Sequence, residues 1–234
     1  FTNVTIRGNE IRNVGNVGIG VAACSGCLIE NNVIVHGQAF GITAIAAPDR
    51  TSGAGDAAMT AVRIRNNSIA VGSGGTGIYL GGEGANHEIV SNAIRHFGSD
   101  AAWACLETDL PNAAYDAIDH NICDYPQGQW VRGIGDLAAW QGTGRGANSQ
   151  AADPGFVSNT DLTPRDATVA LVDAGHPTLS ATMDLTGTVR DSAPDAGAYE
   201  FASPPPDPNA CPPAPLTGCA TPKARNGARL RILD

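Results

Sequence analysis

The feature that most constrains the fold is a six-residue pattern: isoleucine, two residues, asparagine, one residue, isoleucine. It runs through NVTIRGNEIR, CLIENNVIV, VRIRNNSIA, HEIVSNAIR and, in a last variant, DAIDHNICD. With Asn9, Asn32, Asn67, Asn92 and Asn121 as reference, Ile6, Ile29, Ile64, Ile89 and Ile118 stand three places before. Ile11, Ile34, Ile69, Ile94 and Cys123 stand two places after. Ten or eleven places after come Ile19, Ile42, Ile78, Trp103 and Val131, the first three preceded by Gly18, Gly41 and Gly77. The intervals between asparagines are 23, 35, 25 and 29, as in units of one coil that carry insertions of different length.

Alternating apolar segments of three to five residues, broken by Gly and Asn, are strands and turns rather than helices. Stacking such units pairs each strand with its equivalent in the next coil and gathers the isoleucines into columns, because no coil can bury its apolar edge alone. The expected fold is therefore all-β, a parallel β-solenoid. Asn tolerates the left-handed backbone of a sharp corner, so the asparagines are assigned to corners. Their amides should bond from coil to coil as a ladder.

Composition agrees. Aromatic residues are only 5% of the chain, against 29 glycines and 15 prolines, which suits a thin, elongated core. A net charge of −9 argues against nucleic acid and anionic membrane as partners. It also disfavours acidic polymers, except where arginines cluster. No apolar run approaches the ~18 residues of a membrane-spanning helix. Six cysteines form three local pairs, Cys24 with Cys27, Cys105 with Cys123, and Cys211 with Cys219. Their even number points to disulfides and an extracellular or cell-surface location. CSGC has no second ligand pair with which to hold zinc. Phe1 falls in mid-pattern, which reads as the start of a processed or excised piece of something longer.

These units resemble the right-handed parallel β-helix repeats of extracellular bacterial and phage proteins. That superfamily includes pectate and alginate lyases, polygalacturonases, epimerases and surface proteins; the repeat implies architecture, not chemistry. NSQAADPGFV, LVDAGHPTL and RDSAPDAGAYEF resemble, in that order, the ending of secreted bacterial "choice-of-anchor" β-helix proteins. The matching residues are Asp153, Pro154, Phe156, Asp173, Ala174, Gly175, Pro194, Asp195, Gly197, Ala198, Tyr199 and Glu200. The resemblance implies one domain over residues 1–202, with irregular capping coils from Asp153 to Phe201 in which Asp173, Asp195 and Glu200 serve turns. Residues 203–222 read as a Pro-rich linker containing a Cys211–Cys219 loop. Residues 223–234 read as a terminal strand or the start of a further domain.

Alternation in the third strand of each coil points Gly20, Thr43, Tyr79, Ala104 and Arg132 outward on one face. In β-helix polysaccharide enzymes the glycan lies on such a face. Thr43, Tyr79 and Arg50 are the candidate substrate-binding residues, Tyr79 as a sugar platform. Glu107, Asp109 and Arg132 are the candidate catalytic set, the two carboxylates as acids or Ca²⁺ ligands and the guanidinium as partner of a uronate. No cofactor is required, and Ca²⁺ is the one ion the loops could take. Lys223 lies outside the solenoid, so a lysine-base lyase is not available, and the paired-aspartate pattern of the polygalacturonases is absent. Cys105 and Cys123 fall on inward columns of successive coils, and Cys24 with Cys27 would pin a turn. The five histidines form no cluster. The expectation is a surface module that binds a polysaccharide or cell-surface glycan. The alternative is a polysaccharide lyase or glycoside hydrolase, and the third class is a stalk that associates end to end or laterally.

Overall fold

In the computed structural model, residues 1–14, 16–36, 43–49, 59–72 and 74–201 are described. They belong to one compact unit, Phe1–Phe201. Arg50, Ile42, Cys211, Cys219, the linker and the terminal segment lie outside the described residues.

Five coils of three short strands build the unit. The first contains β1 (Thr5–Arg7), β2 (Glu10–Arg12) and β3 (Val17–Gly20); the second β4 (Leu28–Glu30), β5 (Val33–His36) and β6 (Thr43–Ala47). After β7 (Met59–Thr60), the third coil contains β8 (Arg63–Arg65), β9 (Ser68–Val71) and β10 (Ile78–Leu80). After β11 (Gly84–Ala85), the fourth contains β12 (His87–Val90), β13 (Ala93–His96) and β14 (Ala104–Glu107); the fifth has β15 (Tyr115–Asp119), β16 (Ile122–Asp124) and β17 (Gln129–Val131). Equivalent strands pair in parallel, giving three five-stranded sheets ordered β1-β4-β8-β12-β15, β2-β5-β9-β13-β16 and β3-β6-β10-β14-β17. A small fourth sheet joins β7 and β11.

Two isoleucine columns stand where the motif puts them. Ile6, Ile29, Ile64, Ile89 and Ile118 are in register along the first sheet. Ile11, Ile34, Ile69, Ile94 and Cys123 are in register along the second. Each fully buried isoleucine contributes roughly 1.5–3 kcal/mol. Ile29, Ile34, Ile64 and Ile69 are wholly enclosed, while Ile6 and Ile11 in the first coil are only half-buried.

The third column differs from the count along the chain. The residues in register are Ile19, Ile45, Ile78, Leu106 and Val131. Ile45 and Leu106 thus replace Ile42 and Trp103: each column member stands three residues further along the chain than the count placed it, and strand pairing sets the register. In the first four coils the residue before the column member, Gly18, Ala44, Gly77 or Cys105, is small, and in the fifth it is the buried Trp130. A Cβ on Gly18 would lie 3.0 Å from Ile34 Cγ2, and one on Gly77 3.0 Å from Ile94 Cγ2. One coil on, this position holds Cys105, whose sulfur is bonded to Cys123 of the Ile94 column. A second disulfide joins Cys24 to Cys27.

The asparagines form the expected ladder. Each Nδ2 donates to the Oδ1 one coil on: Asn9 to Asn32 at 2.9 Å, Asn32 to Asn67 at 3.0 Å, Asn67 to Asn92 at 2.9 Å and Asn92 to Asn121 at 3.0 Å. Ser149 Oγ ends it by accepting the Asn121 N–H at 3.2 Å. The left-handed corner, however, is one residue earlier. Gly8, Asn31, Asn66, Ser91 and His120 carry φ between 51° and 69°. A left-handed residue turns the chain so that the next side chain enters the core, which is why the ladder asparagine follows the corner instead of forming it.

The helix α1 (Leu137–Gln141) sits at the end of the fifth coil. The Asp136 carboxylate caps it by accepting the Ala139 N–H at 2.8 Å, and Trp140 and Leu137 pack on the core. The irregular segment from Asp153 onward then runs back along the outside of the second sheet. Phe156, Leu162, Val169, Leu171, Ala196 and Ala198 cover Val33, Val35, Ala70, Ala93 and Ile122. It is stitched to the corner residues. Asn31 Nδ2 donates to Met183 O at 2.6 Å, Asn66 Nδ2 to Asp195 O at 3.1 Å, and the Ser91 and Ser180 hydroxyls meet at 2.8 Å. The expected cap is therefore a flank that spans the stack instead of a lid on its end.

The resemblance residues hold this flank together. Arg190, almost fully buried, donates to Glu200 at 2.8 Å and to the carbonyls of Asp195 and Gly197 at 3.1 and 2.7 Å. Asp195 accepts the N–H groups of Asp173 and Phe201 at 2.8 and 2.5 Å. Burial pushes its carboxyl up to about 6.

Candidate functional site

The pairing of the third sheet decides which side chains share its outer face. Gly20, Ala46, Tyr79 and Glu107 are in successive register. Arg132 follows, its N–H on the Leu106 carbonyl at 2.9 Å. Tyr79, Glu107 and Arg132 thus occupy three consecutive rungs, about 4.8 Å apart. Thr43 is not among them: it pairs with Val17, and Ala46 takes its expected place. Ala104 is buried and pairs with Gln129.

Glu107 is held at both oxygens. Oε1 accepts from Arg132 Nη1 at 2.8 Å and Oε2 from the buried Thr76 hydroxyl at 3.0 Å. Arg132 also lies over the Trp103 ring, with Cζ 4.9 Å from the centroid. Trp103, expected inside, is half-buried, and its indole N–H donates to Asp100 at 3.1 Å. A half-buried indole with a fixed guanidinium over its ring therefore flanks the Tyr79–Glu107–Arg132 row.

At the Tyr79 end the loops close in. A Cβ on Gly81 would collide with the Tyr79 hydroxyl and with Asp109 Oδ1, so this glycine lets the phenol lie against the backbone. Gly82, at φ +101°, donates its N–H to Asp109 Oδ1 at 2.9 Å. Asp49 accepts the Met59 N–H at 2.7 Å and the Glu83 N–H. Burial, then the nearby charges of Asp109, Glu107 and Asp49, push the Tyr79 hydroxyl above its ordinary value. It remains a protonated hydrogen-bond donor. Behind it, His87 is fully buried, with Nδ1 accepting the Val62 N–H at 3.3 Å, and burial holds its pKa below the ordinary value.

Among the described residues, Asp49, Glu83, Glu107 and Asp109 outweigh the one guanidinium of Arg132, which suits a neutral hydroxylated ligand better than an anionic one. Among the described residues no three of His, Cys, Asp or Glu converge closely enough to hold a metal ion. Sequence counting missed Trp103 and Thr76 as parts of this site. The signal available was alternation: matching Gly77-Ile78-Tyr79 to Cys105-Leu106-Glu107 aligns apolar with apolar and leaves Trp103 outside the column.

Among the described residues no helix is long and apolar enough to cross a membrane. No curated protein matches the chain. The family model described as "Right handed beta helix region" matches residues 2–121, which takes in the repeat from the first coil to the last ladder asparagine.

Proposed function

Because the chain belongs to the right-handed β-helix family, a rigid stack whose outward side chains fall in rows, we propose that it is a glycan-binding module of an extracellular or cell-surface protein. Neutral polysaccharide would lie across the outer face of the third sheet. One observation carries this reading: Tyr79, Glu107 and Arg132 stand on consecutive rungs, with Trp103 beside them. Flat aromatic faces take the C–H face of a sugar ring, and fixed polar groups orient its hydroxyls. Glu107 already accepts two hydrogen bonds and neutralises Arg132, which favours a role in orienting a ligand over proton transfer. The two disulfides support an oxidising compartment.

The test is affinity electrophoresis of the 234-residue chain through neutral and uronate polysaccharides, with and without Ca²⁺. Retention by a neutral polymer is expected. Trp103→Ala or Tyr79→Ala should weaken it roughly tenfold, the ~1.4 kcal/mol scale of one aromatic contact. Retention unchanged in both variants would overturn the reading. The same samples are assayed for new reducing ends and for ultraviolet-absorbing unsaturated products. Either product, lost in Glu107→Ala, would replace binding by catalysis.

A further inference from the structure

A cavity of about 480 Å³ lies on another side of the molecule, between the outer face of the first sheet and the 181–187 turn of the flank. Its volume is in the range of small-molecule sites. On the first sheet, Arg7, Glu30 and Arg65 are in register on three consecutive rungs. Glu30 is buried, and each of its oxygens is taken by one of the arginines, Oε2 by Arg65 Nε at 2.7 Å. Arg65 is fixed further by Nη1 on the Leu179 carbonyl at 3.0 Å, and its Nη2 has no protein partner among the described residues. Arg7 is 57% exposed.

The opposite wall also has its acid occupied. Asp184 is buried; Oδ1 accepts the Thr186 N–H, the Thr186 hydroxyl and the Thr188 N–H, all at 2.8 Å, and Oδ2 accepts the Glu200 N–H at 3.0 Å. Both carboxylates are thus satisfied internally, and the charged groups with donors left for a ligand are the guanidinium groups of Arg7 and Arg65, with the threonines Thr182 and Thr186 also in the lining. The apolar part of this wall comes from Ala181, Leu185 and Met183, which is 53% exposed. The turn is pinned by Asn31 on the Met183 carbonyl and by the Met183–Val189 bridge, so little ordering cost remains for a ligand.

We propose that this cavity is a second saccharide site, specific for a uronate residue. Its carboxylate meets Arg7 and Arg65 and its ring lies on the Met183 wall. The net acidity of the chain disfavours acidic glycans everywhere except where arginines gather, and this is such a place. The site is independent of the third-sheet face, so the two can fail separately.

The experiment is titration of the full chain with galacturonic acid and its trimer, followed by chemical-shift changes, with galactose, sulfate and phosphate as controls. Met183→Glu alters an exposed position and should melt with the parent, whereas Arg7→Gln also removes the partner of Glu30 Oε1 and should lower the melting temperature modestly, so its binding is measured well below that temperature. Each should weaken uronate binding tenfold or more, and added salt should weaken it further. Trp103→Ala should leave it unchanged. Equal binding of galactose, equally tight binding of inorganic phosphate or sulfate, or full affinity in both pocket variants would each overturn the proposal.

Discussion

Removing the central rung of the ladder tests the fold argument most directly. The Asn67 side chain makes five hydrogen bonds. It donates to Ile29 O at 3.0 Å, Arg65 O at 3.1 Å and Asn92 Oδ1 at 2.9 Å, and accepts from Asn32 Nδ2 and from the Asn32 N–H, both at 3.0 Å. In Asn67→Ala the Asn32 N–H loses its partner entirely and the other groups lose part of theirs, all but the Arg65 carbonyl in buried surroundings. At about 1–3 kcal/mol for each buried group left unpaired, the cost is about 3–5 kcal/mol, a large share of the ~5–15 kcal/mol that holds a domain together. The melting temperature followed by circular dichroism should fall by about 6–20 °C, at roughly 2–4 °C per kcal/mol for a unit of this size. Asn9→Ala is the control. Asn9 is exposed and donates only to Arg7 O and Asn32 Oδ1, and the latter keeps a bond from the Asn9 N–H. Its cost should stay below about 1 kcal/mol. Asn67→Asp should be as damaging as Asn67→Ala at neutral pH, because a carboxylate cannot donate to three facing acceptors, and should recover in part once protonated. Equal losses at Asn67 and Asn9, or a negligible loss at Asn67, would refute the argument from buried partners.

Two further outcomes follow from the same structure. Replacing Cys105 and Cys123 together by alanine opens a loop of sequence separation 18 and should cost about 3 kcal/mol. Free thiols throughout the native protein, read by mass spectrometry after alkylation, would refute both the cross-link and the oxidising compartment inferred from it. Asp195 should make stability depend on pH with a definite sign. Its folded pKa of about 6 lies above the ordinary 3.8, so the native state holds the extra proton. Its contribution is fully present below about pH 3.8 and is lost as the pH rises through about 6. The stability difference between the parent and Asp195→Asn should therefore shift against the parent across that window; a flat difference in denaturant titrations would contradict it.

Much of this architecture was legible because the ladder asparagine and its two isoleucines are separated by fixed, short steps. No insertion enters between them, so counting residues and counting rungs give the same answer. Composition and repeat together determined a parallel solenoid, its first two apolar columns, its asparagine ladder and the two described disulfides. The third column, the site and the flank could not be counted out. Insertions of unequal length precede β6 and β14, and what aligns those strands is the hydrogen-bond pairing between coils, which ignores how much chain loops outside. That pairing left Trp103 out of the column, half-buried, and brought Glu107 between Tyr79 and Arg132. The same holds for the left-handed residues, which lie one place before the asparagines because backbone handedness and side-chain direction belong to neighbouring positions. The flank is the strongest case. Its contacts join Asn31, Asn66 and Ser91 to residues more than eighty positions away, and only the completed stack presents those corners as a row to which a later segment can bond.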